Sequence, residues 1–160
     1  MQFHPFTVAV ALAALAGTVI GESHTVHFDN RCGFGTPTLI QGSTVLSTGA
    51  DFTSSGPLVD AIAYLQTGSC GFNGEGCTLI ETTLVNPTSP GLPGTASDIN
   101  LIPPHAFSVT SGFGYFNGCD GDGADCTFPD CPAASHNWSS MVPQVVCQAD
   151  NVNGQTVYHK

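Results

Sequence analysis

The chain has 160 residues, with only two basic side chains, Arg31 and Lys160, against twelve carboxylates, for a net charge of −10. That balance argues against nucleic acid as a partner, because phosphate binding rests on clustered Lys and Arg. It suits cations, neutral sugars or basic partners, or plain solubility in an acidic extracellular medium.

Residues 1–23 read as a secretory signal. Residues 6–20 (FTVAVALAALAGTVI) form an apolar run too short for a comfortable membrane span. Gly21 and Ser23 fit the small positions ahead of a cut before His24, and a cut after Gly21 competes with it. This leading region lacks Lys and Arg, so His4 and the amino terminus supply its positive charge. Residues 24–160 then form one domain, long enough to bury a core. They contain no second apolar span, so a soluble, secreted, monomeric protein is expected.

All seven cysteines follow the signal: Cys32, Cys70, Cys77, Cys119, Cys126, Cys131 and Cys147. In an oxidising compartment they predict a disulfide framework. The Gly-rich loops within Cys70–Cys77 and Cys119–Cys126 favour local pairs, Cys131–Cys147 would close a longer loop, and Cys32 is left over. Sequence alone does not settle connectivity. Zinc is disfavoured, since no C-x2-C pair is present.

In chain order, residues 24–28 (HTVHF) alternate and are β-branched, which predicts the first strand. Residues 36–46 form a second strand region with Gly42 at a turn or bulge. Residues 47–57 read as loop. Residues 58–66 (LVDAIAYLQ) fit a strand in this β context. Residues 78–85 are a strand with Leu79, Glu81, Thr83 and Val85 on one face. Residues 86–97 hold prolines and glycines and read as a connector. Residues 98–102 are a strand, broken at Pro103-Pro104 and resumed over 106–110. Residues 111–132 read as loop-rich, with strands expected again at 142–147 and 156–158. Many short strands between turn signals predict an all-β sandwich.

Glu81 and Asp98, in neighbouring strands with His105 nearby, are the densest potential chemistry. Paired carboxylates can act as acid and base on a glycosidic bond, hydrogen-bond sugar hydroxyls, or serve only as structural acids. Asn137-Trp138-Ser139 fits an N-glycosylation acceptor. Asp120, Asp122 and Asp125 are spaced as Ca²⁺ ligands can be, but lack the length and closing Glu of an EF-hand, which favours a solvated acidic loop. Phe113, Tyr115 and Phe116 either stack on sugars or pack in the core. No G-x-S-x-G nucleophile motif is present.

The order TLIETTLV, connector, SDINLIPPHAFSV resembles thaumatin-like proteins, as do the opening HTVHFDNRC and the loop GSCGFNGEGC. GFGTPTLIQG, AIAYLQTGSCGFNGEGC and LIPPHAFSVTSGFGYFNGCDG look closest to the small secreted "glycopeptide" members of fungi. The resemblance implies a disulfide-stabilised β-sandwich (thaumatin/osmotin-like) with an acidic cleft. Glu81 matches the cleft glutamate and Asp98 the first aspartate of the second tract. The family's second aspartate falls near Pro104, and no cleft arginine is matched. Binding of cell-wall β-glucan is therefore expected ahead of weak β-glucan hydrolysis, with no cofactor required. The family ties its first cysteine to one at the C-terminus. Here the chain reads TVYHK, so Cys32 is a free thiol, pairs between chains, or faces an altered C-terminus.

A copper site is the other expectation. A chain cut before His24 would offer an α-amine and imidazole to Cu(II), with His105 as third nitrogen and His27, on the opposite face of the strand, as the alternative. In ligand type only, this resembles the histidine brace of lytic polysaccharide monooxygenases.

Overall fold

The computed structural model describes residues 21–89 and 91–160; the apolar run expected to be a signal lies outside the described residues. The described chain is all-β: β1 (Ser23–Asn30), β2 (Thr36–Gln41), β3 (Thr44–Ser47), β4 (Phe52–Ser55), β5 (Leu58–Gln66), β6 (Leu79–Leu84), β7 (Thr95–Asn100), β8 (Thr110–Phe116), β9 (Gly123–Cys126), β10 (Ala134–Ser135), β11 (Val145–Cys147) and β12 (Asn153–His159). Two mixed sheets pack together in a sandwich-like arrangement. One runs β4-β1-β12-β8-β9; the other runs β10-β7-β6-β5-β2-β3, with β11 also on β7. Among the described residues no helix is long and apolar enough to cross a membrane.

Alternation sets which face each strand buries. In β1, His24, Val26 and Phe28 point inward and Thr25, His27 and Asp29 outward. The core between the sheets includes Leu39, Leu58, Leu84 and Ile99, all at most 1% exposed; each such side chain contributes about 1.5–3 kcal/mol by leaving water. A second, smaller cluster of Ile40, Tyr64 and Leu79 lies on the other face of the seven-stranded sheet, with Ile62 and Cys70 against it. Tyr64 Oη donates to Phe72 O at 2.8 Å, which holds the Cys70–Cys77 loop near that cluster.

One irregularity matters for the site. Leu58 pairs with Leu84 and Ala61 with Thr82, so β5 carries one extra residue over this step. Asp60 takes the bulge with φ 51° and its N–H donates to Thr83 Oγ1 at 3.0 Å. Asp tolerates this left-handed conformation better than most residues, and a bulge re-aims side chains where it occurs.

Three stretches depart from the sequence reading. Residues 52–55, read as loop, form edge strand β4 on β1. Residues 106–109 are not strand; β8 begins at Thr110, the end of the expected strand, and runs on through residues 111–116, which were read as loop. β9 also arises in that region. The β8 and β9 segments read as loops because of their glycines, yet close pairing requires those glycines: a Cβ on Gly123 would sit 2.1 Å from Phe113 O.

Cys70–Cys77 pairs as expected, but the other two bonds are Cys119–Cys147 and Cys126–Cys131. The hairpin geometry explains the correction. Cys119 sits at the β8–β9 connection, whereas Cys126 lies at the far end of β9, opposite Ser111. Four extended residues at about 3.4 Å each carry it beyond disulfide reach of Cys119. Cys147 ends β11, with its Cα 6.0 Å from that of Cys119. Cys32 is free and 1% exposed. Burial pushes the Cys32 thiol up, which disfavours the thiolate, and the Lys160 charge opposes.

Peptide mapping under non-reducing conditions should recover Cys119 joined to Cys147. A peptide joining Cys119 to Cys126 would contradict the fold. Replacing both Cys119 and Cys147 with Ser should lower unfolding free energy by about 3–4 kcal/mol, the loop-closure value for their 28-residue separation.

Candidate functional site

β6 lies between β5 and β7, and the registers put Ile62 opposite Glu81 and Glu81 opposite Asp98. Both acids therefore share the outer face of the seven-stranded sheet, as directly paired neighbours whose Cβ atoms lie about 4.5–5.5 Å apart. Val145 pairs with Ser97, so Gln144, one residue earlier, falls beside Asp98. A shallow cleft of about 280 Å³ opens over this row, lined by Asp60, Ile62, Glu81, Thr83, Ala96 and Gln144.

The two carboxylates are not equivalent. Asp98 is 5% exposed and accepts a bond from Gln144 Nε2 at 3.0 Å. Glu81 is half-buried and accepts from Asn100 Nδ2 at 2.9 Å. Asn100 is itself oriented, since its Oδ1 accepts from Ile102 N at 2.7 Å. Burial pushes the Asp98 carboxyl above the usual carboxylate range and the negative charge of Glu81 adds to it, while the Gln144 bond opposes. A raised acid favours the folded state while protonated, and that contribution is lost as pH climbs through its folded-state value. The cleft lining contains no basic residue; Arg31 is held at Asp29, with Nε to Oδ2 at 2.8 Å. Beneath the sheet, burial first and then the nearby Asp98 and Asp122 charges push Tyr115 up to about 12, against the Ser97 bond. Its Oη donates to Val145 O at 2.7 Å.

Sequence reasoning found Glu81 and Asp98 but missed three partners. Asn100 lies two residues from Asp98 in the same strand, so alternation was sufficient to place it. Asp60 reaches the cleft only through the bulge, and Gln144 only through β11; neither has a local signal.

The histidines are not brought together. His24 is fully buried in β1. Its Nδ1 faces Val152 O at 2.7 Å and its Nε2 faces Glu22 Oε1 at 3.0 Å. Each ring nitrogen thus lies within hydrogen-bond distance of a protein oxygen. His105, after β7, has Nδ1 at 3.1 Å from Gly74 O beside the Cys70–Cys77 loop. His27 faces outward and meets Asp51. Among the described residues no three His, Cys, Asp or Glu are grouped to hold a metal. Asp120 caps its own loop through Asn117 N and Gly118 N, and Asp122 and Asp125 are exposed. Phe113 and Tyr115 pack in the core, while Phe116 is half-buried. Asn137 is exposed, with Oδ1 accepting from Ser139 N and Oγ.

No protein-family model matches the chain. No curated protein matches it either.

In the described chain Glu22 and Ser23 bond to distant residues, so a cut after Gly21 would keep these contacts and a cut before His24 would remove them. Glu22 accepts from Asn86 N at 2.6 Å and Ser89 Oγ at 2.8 Å as well as from His24, and Ser23 N donates to Asn151 Oδ1. Burial raises the Glu22 carboxyl, but the His24, Asn86 and Ser89 bonds together outweigh it and hold it below the usual range. A depressed acid stabilises the fold above its unfolded value, near 4.5, and the gain is lost as pH falls through the folded value. Thermal melts should therefore show Glu22→Gln a few degrees less stable than the parent at neutral pH, with the gap closing below about pH 4. An equal gap at all pH values would contradict this network.

Proposed function

We propose that this is a secreted, thaumatin-like protein that binds a neutral extracellular polysaccharide, of the β-glucan type, in the cleft at Glu81 and Asp98. The observation carrying the reading is the inequivalence of the two acids. Glu81 faces the cleft with its orientation held by Asn100, ready to accept from a sugar hydroxyl. Ile62 and Ala96 offer apolar surface beside it, and Gln144 and Asp60 offer further polar groups. A neutral, hydroxyl-rich chain fits this lining; an anionic one is repelled by a protein of charge −10.

Binding is favoured over hydrolysis by the same geometry. Glycoside cleavage needs two carboxylates that reach the scissile bond. Asp98 is 5% exposed and committed to Gln144, which leaves Glu81 as the accessible acid. Three disulfides fit an oxidising compartment and so support secretion. The paired Glu81 and Asp98, the disulfide loop before β6 and the two packed sheets support the thaumatin-like assignment.

Calorimetric titration with a soluble β-1,3-glucan should give saturable binding. Glu81→Gln should weaken it about tenfold, since a hydrogen bond to a charged group is worth about 1.5–3 kcal/mol. Prolonged incubation should release no reducing sugar. Absence of binding at millimolar glucan would overturn the reading, and sugar release abolished by Glu81→Gln would replace it with hydrolysis.

A further inference from the structure

The outer face of the five-stranded sheet carries a second depression, of about 400 Å³, lined by Thr25, His27, Asp51, Phe116, Asn153 and Gln155. This volume lies within the roughly 300–1,000 Å³ typical of small-ligand sites. Register builds it from two rows of side chains. His27 pairs with Gln155, which pairs with Gly114. Two residues away along the strands, Thr53 pairs with Thr25, and Asn153 with Phe116. Together the rows cross β1, β12 and β8, and the Thr25 row reaches β4 as well, three strand gaps or about 14 Å.

Local bonds fix part of this lining and leave the rest open. His27 Nδ1 meets Asp51 Oδ1 at 2.7 Å, which sets the ring's orientation and leaves Nε2 facing out. Asn153 Oδ1 accepts from Thr25 N at 2.7 Å, which fixes the amide with its NH₂ group free. Among the described residues the Gln155 side chain has no hydrogen-bond partner within the protein. Phe116 supplies a half-buried ring at one end, and the adjacent Gly114 adds no side chain to the floor. Oriented imidazole, two amides, a carboxylate and one ring, with no Lys or Arg, match a polyhydroxylated ligand whose C–H face packs on an aromatic.

We propose that this trough is a second glycan site, taking a neutral oligosaccharide on the sheet opposite the Glu81 cleft. Its ligand stacks on Phe116 and hydrogen-bonds to Gln155, Asn153 and the His27–Asp51 pair. The trough does not depend on the cleft: the two lie on outward faces of different sheets, so one molecule carrying both would join two glycan chains.

The test is a side-chain amide NMR titration of the full domain with a β-1,3-linked glucose hexamer and, separately, its β-1,4-linked counterpart. Saturable shifts at Gln155 and Asn153 with at least one of them are expected. Phe116→Ala should weaken those shifts at least tenfold. Gly114→Leu should do the same without altering any ligand-contacting side chain. A Cβ there meets nothing nearer than Asp122 O at 3.6 Å, so the strand accepts it. Asn100 and Gln144 amides report the cleft in the same spectra. Shifts confined to Asn100 and Gln144 would overturn the trough and keep the cleft; shifts confined to Gln155 and Asn153 would do the reverse. Shifts at Gln155 that survive both variants unchanged would also overturn the proposal.

Discussion

The pairing of β6 between β5 and β7 is the constraint on which the site depends. Side chains in a sheet alternate with a period of two, so a slip of one residue would send Glu81 into the core and Ile80 or Thr82 into the cleft. The core prevents that slip. Ile80 and Leu84 are buried between the sheets, and Thr82 bonds Ser97 across the same face at 2.7 Å. Hydrophobic burial on one face therefore fixes the acids on the other.

The resulting row reaches well beyond the acids. Val45, Ile40, Ile62, Glu81 and Asp98 are successive register partners, with Gln144 beside the last. Five strand gaps make the row about 24 Å long. Ile40 in this row is covered in the cluster with Tyr64 and Leu79, while Val45 at its far end is exposed. Asp98 gives up exposure to orient Gln144, and Glu81 keeps it. Two chemically similar residues thus stand differently, one bonded to Gln144 and one facing the cleft.

How much of this was legible before folding varied with the kind of signal. β6 announced itself by its alternation, so Glu81 could be assigned a face directly, whereas LVDAIAYLQ of β5 fits a short helix by spacing or a strand by burial and reads as strand from its β context. β8 was hidden, since Gly112 and Gly114 stand where outward side chains would normally mark a strand. β4, with FTSS, carries too little apolar character to distinguish an edge strand from a loop. The cysteines were legible as a framework, but their partners depended on a hairpin whose strands had been missed. The contacts of His24 with Glu22 and Val152 O left no sign in its local sequence. Contacts between residues far apart in the chain, such as Gln144 with Asp98, leave no trace in local composition.

The direct test of the account is a ¹³C NMR titration of the Asp98 side-chain carboxyl in the parent protein and in Glu81→Gln. The account predicts that Asp98 titrates above the ordinary carboxylate range and moves downward when the neighbouring charge is removed. An Asp98 that titrates at or below that range, indifferent to Glu81, would mean the two acids are not paired across β6 and β7, and the cleft described here would not exist.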